Sequence, residues 1–275
     1  MKHLDIDDVF NFHIVFDEIV LSKAYYDVFE AIEGEIFANI KELKKRFEFD
    51  DELSEPMKKA LLKLANSDRK RFSINKALPQ ILASKTFAKL LENGLIYIEK
   101  SREIRPVKAK NQKLKKSERR YIVQDKVHFT SHFTRFWFRF IQPNLAQLEN
   151  GEFSSVMQTI KAEFYEYASL GFELLCAEFL RDRGVKNANS FWHKNIEIDL
   201  LGIGVNGIVV AEAKFRAKKV CKSILTLLLT KCERLGFVPN EVYLFSKSGF
   251  SKELENLGQK RVKLINLNQM TELLE

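Results

Sequence analysis

The spacing of hydrophobic residues along the chain predicts helices first and a sheet later. Apolar and aromatic residues recur at partly helical intervals over residues 1–53, which predicts two or three helices. A proline near the start of the next helical run, a second proline at position 79 and a glycine at position 94 divide residues 54–94 into three short helices. Two strands bracketing a basic loop follow, and this order is typical of a winged helix-turn-helix over residues 54–125.

An aromatic connecting helix over residues 126–151 leads to a different pattern. Residues 152–183 have helical spacing and form one helix or two, and strands then alternate with helices to the end of the chain. The order helix, strand, strand, strand, helix, strand, helix, strand predicts a mixed sheet flanked by helices. The predicted fold class is therefore α+β, with a helical N-terminal region and a winged helix followed by an α/β domain over residues 152–275.

A hairpin in the last domain carries the first candidate chemistry. Two β-rich runs flank Asn206 and Gly207, a strong hairpin signal because both residues of such a turn take positive φ. With these two residues in the turn, Asp199 lies opposite Lys214, and Glu212 is diagonal to Asp199 on the same face. Two carboxylates and a lysine on one patch indicate a metal-dependent active site; a weak ion pair on a solvated face is the alternative.

An acidic residue upstream of the hairpin belongs to the same hypothesis. Phe172 and Leu175 follow helical spacing toward a core, and Gly171 is small enough to let the helix approach a sheet closely. This arrangement would direct Glu173 toward the hairpin patch. A glutamate facing solvent is the alternative.

Composition indicates a folded protein without membrane segments. The 275 residues can hold two domains, and 45% of them are hydrophobic. No apolar run approaches membrane-spanning length and the N-terminus lacks a secretion-signal pattern, so a cytoplasmic location is expected. Three cysteines without a C-x-x-C pair favour reduced thiols. His128 and His132 have no third ligand near them and are predicted to be ordinary polar positions.

Charge is distributed unevenly along the chain, whose net formal charge is +8. Residues 97–123 carry ten basic and three acidic side chains, whereas residues 1–56 carry fifteen acidic and six basic ones. The basic stretch predicts contact with DNA phosphates, and the acidic region is either a helical cap over apolar surface, which we favour, or a competitor of DNA. The predicted DNA-binding residues lie on the third helix and in the basic loop: Lys85, Lys89, Arg102, Arg105, Lys108, Lys110, Lys113, Lys115, Lys116, Arg119 and Arg120.

Several motifs together resemble the nuclease-like domain of the PD-(D/E)xK superfamily that follows archaeal-type ATPases. They are Phe-Glu at 172–173, Trp-His-Lys at 192–194, Glu-Ile-Asp at 197–199, Glu-Ala-Lys at 212–214 and Leu-Phe-Ser-Lys-Ser-Gly-Phe at 244–250. The winged helix and the stretches 121–125 and 135–144 resemble the middle segment of the same proteins. The resemblance covers residue 54 to the C-terminus.

This resemblance implies a restriction-endonuclease-like fold that cleaves DNA with Mg²⁺ or Mn²⁺. By the resemblance, Glu173 is the helix acid, Asp199 and Glu212 are the metal ligands, and Lys214 is the catalytic lysine. Two departures are visible. Ile198 stands where the superfamily has its proline, and the sequence contains no G-x-x-x-x-G-K-[ST] motif, so nucleotide binding through a P-loop is not expected.

Three functions are consistent with these patterns. The first is a DNA nuclease positioned by its winged helix, and the second is a non-catalytic DNA-binding regulator that keeps the nuclease fold. The third is an adaptor that works with a separately encoded ATPase. The expected partners are therefore DNA and such an ATPase, without a membrane. The position of Glu173 relative to Asp199, Glu212 and Lys214 distinguishes the first function from the others.

Overall fold

A computed structural model describes residues 4–49, 52–66, 69–103 and 123–274 of the chain. Within these residues a predominantly helical half precedes a five-stranded mixed sheet, so the predicted α+β class is confirmed. Among the described residues, no helix has both the length and the apolar character needed to cross a membrane.

Three helical segments form the N-terminal region, in agreement with the predicted two or three. They are α1 (Ile6–Phe16), α2 (Val28–Ala31), which continues as a π-helical segment (Ile32–Phe37), and α3 (Ile40–Lys45). α1 begins after Asp5, whose side chain accepts a hydrogen bond from the backbone N–H of Asp8. Phe10 of α1 packs on the rings of Phe172 and Phe215 at centroid distances of 5.9 and 4.9 Å. The acidic region thus covers apolar surface of the sheet half.

The next elements occur in the predicted order of helix, short helix, helix and two strands. They are α4 (Ser54–Ala65), a 3₁₀ helix (Arg71–Lys76), α5 (Gln80–Glu92), β1 (Ile96–Glu99) and β2 (Lys126–Phe129). The 3₁₀ helix ends at Lys76, three residues before Pro79, which was expected to end it. Pro79 instead directly precedes α5, which begins at Gln80 rather than at residue 83. β1 and β2 are antiparallel, with Tyr97 opposite His128.

An aromatic segment joins the two halves. It comprises α6 (His132–Phe136), a π-helical segment (Trp137–Ile141), a 3₁₀ turn (Gln142–Asn144) and α7 (Leu145–Glu149). Asp17, just after α1, accepts hydrogen bonds from the backbone N–H groups of His132 and Phe133 at 2.6 and 2.7 Å. A carboxylate at a helix N-terminus satisfies donors that have no partner within the helix, and this one fixes α1 against α6.

The sheet half follows the predicted alternation of strands and helices. Its elements are α8 (Phe153–Asp182), β3 (Lys186–His193), β4 (Ile196–Gly204), β5 (Gly207–Lys214), α9 (Lys222–Arg234), β6 (Glu241–Ser246), α10 (Lys252–Glu255), β7 (Val262–Asn266) and a 3₁₀ helix (Leu267–Leu273). The strands lie in the order β3-β4-β5-β6-β7; β3, β4 and β5 are antiparallel neighbours, and β5, β6 and β7 are parallel.

The two faces of the sheet pack against different helices. On one face, Phe172 and Phe179 of α8 belong to a core that extends from Phe10 to Met270 and includes residues of every predicted region. On the other face, Leu225 and Leu228 of α9 belong to a second core. The regions separated by sequence pattern therefore share one continuous core on the α8 side.

α8 is a single helix of 30 residues rather than two. Gly171 lies at its middle, but the close approach that it permits is to α1, not to a sheet. A Cβ atom at Gly171 would lie 2.6 Å from Cγ2 of Ile14. This close contact fixes the position of α8 along α1, and with it the position of Glu173, which follows two residues later.

The predicted register of the β4–β5 hairpin is wrong by two residues. Gly204 pairs with Gly207 and Leu200 with Ala211, so the turn consists of Val205 and Asn206. Asn206 is not among the described residues with positive φ, whereas Gly207 has φ of 117°. A shift of two residues keeps the same side chains on each face. Continued by one residue beyond Leu200 and Ala211, the observed register brings Asp199 toward Glu212 instead of Lys214.

Candidate active site

A β-bulge on β4 gives Asp199 its position. On the β3 side, Phe191 pairs with Ile198 and Asn189 with Leu201, so three steps along β4 face two along β3. The extra residue lies at or beside Asp199. Bulges of this kind redirect a side chain and are over-represented next to active sites.

The core contacts on each side of Asp199 show the effect of the bulge. Ile198 packs in the core beneath α9, whereas Leu200 packs in the core beneath α8. In a regular strand, residues two apart share a face. The alternation is therefore interrupted at Asp199, which lines a cavity together with Glu173 of α8 and still reaches the residues of β5.

Asp199, Glu212 and Lys214 converge as predicted from the hairpin, although the register differs. Oδ2 of Asp199 accepts hydrogen bonds from the backbone N–H of Ala213 at 2.9 Å and from Nζ of Lys214 at 3.3 Å. Nζ of Lys214 lies 2.8 Å from Oε1 of Glu212. The Glu212 side chain is 6% exposed and that of Lys214 26%, so the group lies mostly away from bulk water.

A second lysine completes this group and was missed by the sequence interpretation. Lys231 projects from α9, and its Nζ lies 3.2 Å from Oε2 of Glu212. Helical spacing from Leu228 places Lys231 near the sheet-facing side of α9, which is the only signal for it in the sequence. We refer to Glu173, Asp199, Glu212, Lys214 and Lys231 as the site cluster.

Glu173 lies on the cavity side of the site cluster. A cavity of about 680 Å³ is lined by both Glu173 and Asp199. Burial, followed by the negative charge of Asp199, raises the pKa of Glu173 to about 7. Glu173 is therefore only partly exposed and faces a cavity that Asp199 also lines.

The charges of the site cluster act strongly on one another. Burial and the neighbouring Glu212 raise the pKa of Asp199, although Lys214 acts in the opposite direction. Burial alone would lower the pKa of Lys214, but the carboxylates of Asp199 and Glu212 outweigh burial and raise it. Perturbed pKa values of this kind concentrate at functional sites, where excess charge is retained.

The donor set of the site cluster suits a hard divalent cation in part. Carboxylate oxygens are the ligands that Mg²⁺ and Mn²⁺ prefer, and the raised pKa values of Glu173 and Asp199 show that added positive charge would be favourable there. Both oxygens of Glu212, however, are engaged by Lys214 and Lys231. Within the described ranges, no group of three or more His, Cys, Asp or Glu side chains has metal-binding geometry.

A second polar group connects the small sheet to the large one. Glu99 of β1 lies 2.6 Å from Nε2 of His128 on β2 and accepts a hydrogen bond from Oγ of Ser190 on β3 at 2.7 Å. Lys126 of β2 contacts Ser190 and forms a short ion pair with Glu197 of β4. We refer to these five residues as the bridging network.

The predicted DNA-binding residues have different surroundings. Lys85 is exposed on α5, and Lys89 forms an ion pair with Glu92 at 3.2 Å. Arg102 points to β3 and β4, where its guanidinium donates to the carbonyls of Leu201, Asn189 and Ser190 at 2.9 Å each and of Asn187 at 3.3 Å. This placement makes Arg102 a clamp on the bulged strands. The other eight predicted residues lie outside the described residues: Arg105, Lys108, Lys110, Lys113, Lys115, Lys116, Arg119 and Arg120.

The two histidines set aside in the sequence interpretation both line the cavity. His128 is in β2, and His132 is the first residue of α6. Burial lowers the pKa of His128 despite the nearby carboxylate of Glu99. Alternation along β2, in which Lys126 and His128 are both inward and polar, was the available signal for a buried polar contact.

The family comparison covers the segment that contains most of the site cluster. A family model described as archaeal and bacterial proteins of unknown function (DUF234) matches residues 137–224, which include Glu173, Asp199, Glu212 and Lys214. An uncharacterized protein of Methanocaldococcus jannaschii is 30% identical over 142 residues, or 47% of this chain and 30% of that protein. The chain thus matches less than a third of that relative's length. No solved structure matches the chain.

Proposed function

We propose that the protein is a DNA-binding, divalent-metal-dependent nuclease that hydrolyses phosphodiester bonds. The observation that supports this most is the convergence of Asp199, Glu212 and Lys214 at a strand bulge, with Glu173 on the adjoining cavity wall. Acidic side chains and a lysine held on rigid strands provide the groups that phosphodiester hydrolysis requires.

Each member of the site cluster has a specific role in this proposal. Asp199 and Glu212 would hold Mg²⁺ or Mn²⁺, which when bound activates water and neutralises charge on the phosphate. Lys214 would contribute positive charge beside the reacting phosphate oxygens. Glu173, whose pKa lies near neutrality, can take up or release a proton at its carboxylate. Lys231 orients Glu212 through its ion pair and acts as a positioning residue.

DNA would be bound by the helical half. The helix, short helix, helix and two-strand order of residues 54–129 supports a winged helix, with Lys85 on the exposed side of α5. In this proposal α5 contacts DNA and the basic loop between β1 and β2 binds backbone phosphates. Binding would then weaken steeply as salt is raised, and action on DNA would take place in the cytoplasm.

Nicking of supercoiled plasmid DNA tests the proposal. We expect cleavage with Mg²⁺ or Mn²⁺, none with EDTA, and loss of cleavage in Asp199→Ala. Arg234→Ala, which removes an exposed charge from the end of α9, serves as the control and should cleave normally. The proposal fails if no metal supports cleavage or if Asp199→Ala cleaves as fast as the unaltered chain.

One observation favours a second function, that of a non-catalytic DNA-binding regulator or an adaptor for a separately encoded ATPase. Lys214 and Lys231 neutralise Glu212 from both sides, as in a site that needs no cation. This function predicts salt-dependent DNA binding that survives replacement of Asp199, Glu212 and Lys214. An adaptor would instead bind DNA weakly and co-purify with its ATPase.

A further inference from the structure

The cavity beside the site cluster extends well beyond the candidate catalytic residues. From Glu173 and Asp199 its lining continues to Tyr97 of β1, His128 of β2 and Arg69, which precedes the 3₁₀ helix of the helical half. Its volume of about 680 Å³ is in the range of ligand-binding sites. The cavity therefore joins the candidate site to an aromatic and basic region contributed by the small sheet.

Tyr97 provides a supported aromatic surface in this region. Its side chain is 42% exposed, and its ring stacks on that of His128 at a centroid distance of 5.1 Å and an interplanar angle of 14°. His128 is held in turn by Glu99 at 2.6 Å. One face of the Tyr97 ring is thus covered by the imidazole of His128. Among the described residues, no other aromatic ring contacts the Tyr97 ring.

Arg69 provides an unengaged positive charge. Its guanidinium forms no hydrogen bond or ion pair within the described part of the chain, whereas Arg102 and Arg181 of the same cavity both donate to backbone carbonyls. Its charge influences the pKa values of both Glu173 and Tyr97, so it acts toward both ends of the cavity.

The backbone of Arg69 is strained and held in place. Arg69 has φ of 61°, in the left-handed region that non-glycine residues rarely occupy. Its carbonyl accepts a hydrogen bond from the backbone N–H of Val127 in β2 at 2.6 Å. Strain that the surrounding structure maintains is concentrated at functional sites.

From these features we infer that the cavity binds one unpaired nucleotide of a DNA strand, with its base on the ring of Tyr97 and its phosphate at Arg69. An aromatic face and a free guanidinium are the two groups that recognise a nucleobase and a phosphate. This inference rests on the proposed nuclease function, because it places the neighbouring phosphodiester beside Glu173 and Asp199. It identifies the substrate class as single-stranded DNA or a duplex with unpaired ends.

A paired base cannot use this site. Inside a duplex both faces of a base are stacked on neighbours, and a side chain reaches a face only after the nucleotide has left the stack, which costs free energy. An unpaired strand avoids that cost. The geometry therefore favours single strands over blunt duplexes even though phosphates are present in both.

Fluorescence anisotropy in EDTA, where cleavage is blocked, tests the inference on the complete chain. The probe is a labelled thymidine oligomer of about 16 nucleotides, compared with a blunt duplex of that length and with an abasic oligomer carrying the same phosphates. At one fixed salt concentration, we expect the thymidine oligomer to bind ~10-fold tighter than either comparison probe. If the unaltered chain binds the thymidine and abasic oligomers with equal affinity, the inference is overturned.

Substitutions then separate the two groups. Tyr97→Leu should weaken binding of the thymidine oligomer by ~10-fold, whereas Tyr97→Phe keeps the ring and should stay within about twofold. Arg69→Met should reduce the slope of log affinity against log salt by about 0.7, the value for one phosphate contact on a single strand. Tyr26→Leu and Arg234→Met alter exposed residues outside the cavity lining and are the matched controls. Tyr26→Leu should leave the affinity for the thymidine oligomer unchanged. Arg234→Met should change the salt slope less than Arg69→Met does.

The outcomes distinguish this inference from the nuclease proposal. Preference for the single strand without metal-dependent cleavage would sustain the nucleotide site and refute hydrolysis. Cleavage of plasmid DNA with equal affinity for single strand and duplex would sustain hydrolysis and refute the nucleotide site. Binding of free thymidine 5′-phosphate without binding of the oligomer would also refute a site for a DNA strand.

Discussion

The site cluster and the bridging network are both buried polar groups, but their carboxylates are in opposite electrostatic states. Glu99 of the bridging network is buried, which would raise its pKa, yet the hydrogen bonds from His128 and Ser190 outweigh burial and lower it. Asp199 and Glu173 of the site cluster have raised pKa values because burial and neighbouring acids dominate. A buried carboxylate thus stabilises the folded state in the bridging network and destabilises it in the site cluster.

This difference provides a physical criterion for assigning roles. A buried carboxylate whose oxygens are satisfied by donors contributes to the stability of the fold, because removing it leaves those donors unpaired. Buried carboxylates placed beside one another cost free energy in the folded state, and such a cost is retained where a ligand or a reaction compensates it. This criterion assigns Glu99 to the stability of the fold, and it makes Glu173 and Asp199 the carboxylates to test for the proposed function.

The largest effect is expected when the same type of substitution, lysine to methionine, is made separately in each group. Lys214→Met should reduce metal-dependent DNA cleavage by about 10³-fold, because the group that offsets charge at the phosphate is lost. Lys126→Met, which removes the lysine of the bridging network, should leave cleavage per folded molecule within a few-fold. Initial rates of plasmid nicking, normalised to the folded fraction by circular dichroism, measure both. Equal losses in the two variants would remove the distinction between the groups.

Stability should show the reverse order. Glu99→Ala leaves His128 and the hydroxyl of Ser190 without their buried acceptor, and we expect the free energy of unfolding to fall by about 3 kcal/mol. Asp199→Ala relieves repulsion with Glu212, so its cost should be about 1 kcal/mol or less. Urea denaturation gives both values from the midpoint and slope. A greater loss in Asp199→Ala than in Glu99→Ala would contradict the use of a raised or lowered carboxylate pKa to separate functional from structural residues.

The order of elements was predictable because local patterns encode it. Helical spacing, Pro79 and Gly94 divide the helical half, and the alternation after α8 matches the observed strands and helices. The placement of Glu212 and Lys214 on one face of β5, beside β4, was also predictable, because an error of two residues in register leaves side chains on the same face. The register itself was not, since a glycine with positive φ can follow a turn as well as form part of it.

Other features depend on contacts between residues far apart in the chain. The bulge at Asp199 is one extra residue relative to β3, and nothing in the local sequence of β4 indicates it. Glu99 and Ser190 are 91 positions apart, and Arg102 reaches carbonyls 85 or more positions away. These distant contacts cannot be read from local sequence. Arg102 was therefore predicted to bind DNA phosphates, whereas it donates to backbone carbonyls of β3 and β4.

A pH measurement extends the comparison to His132, which lines the same cavity from α6. Burial, followed by the positive charge of Arg135, lowers the pKa of His132 to about 4, with Asp17 opposing and His13 adding to the shift. The unfolded chain, with a histidine pKa of about 6.5, binds more protons between these values, so the folded state loses stability as pH falls from about 6.5 to 4. Between pH 7 and pH 5 this loss should be about 2 kcal/mol.

His132→Asn removes that dependence. Denaturation at pH 7 and pH 5 should show a smaller decrease in unfolding free energy for the variant than for the unaltered chain. Gln147→Asn, which alters an exposed side chain of α7 that does not titrate, is the control and should keep the original decrease. An unchanged pH dependence in His132→Asn would show that burial of the imidazole does not control its protonation.

The smallest effect concerns an ion pair that belongs to neither group. Nζ of Lys247, after β6, lies 3.0 Å from Oδ2 of Asp7 in α1, and the Asp7 side chain is 38% exposed. Exposed pairs contribute little because water and salt screen them, so Asp7→Asn should cost less than about 1 kcal/mol, and less still at high salt. Thermal unfolding at low and high salt measures this. Phe10 and Ile14 already anchor α1 in the core. A cost similar to that of Glu99→Ala would therefore contradict the expectation that a partner stabilises a carboxylate strongly only where the pair is buried.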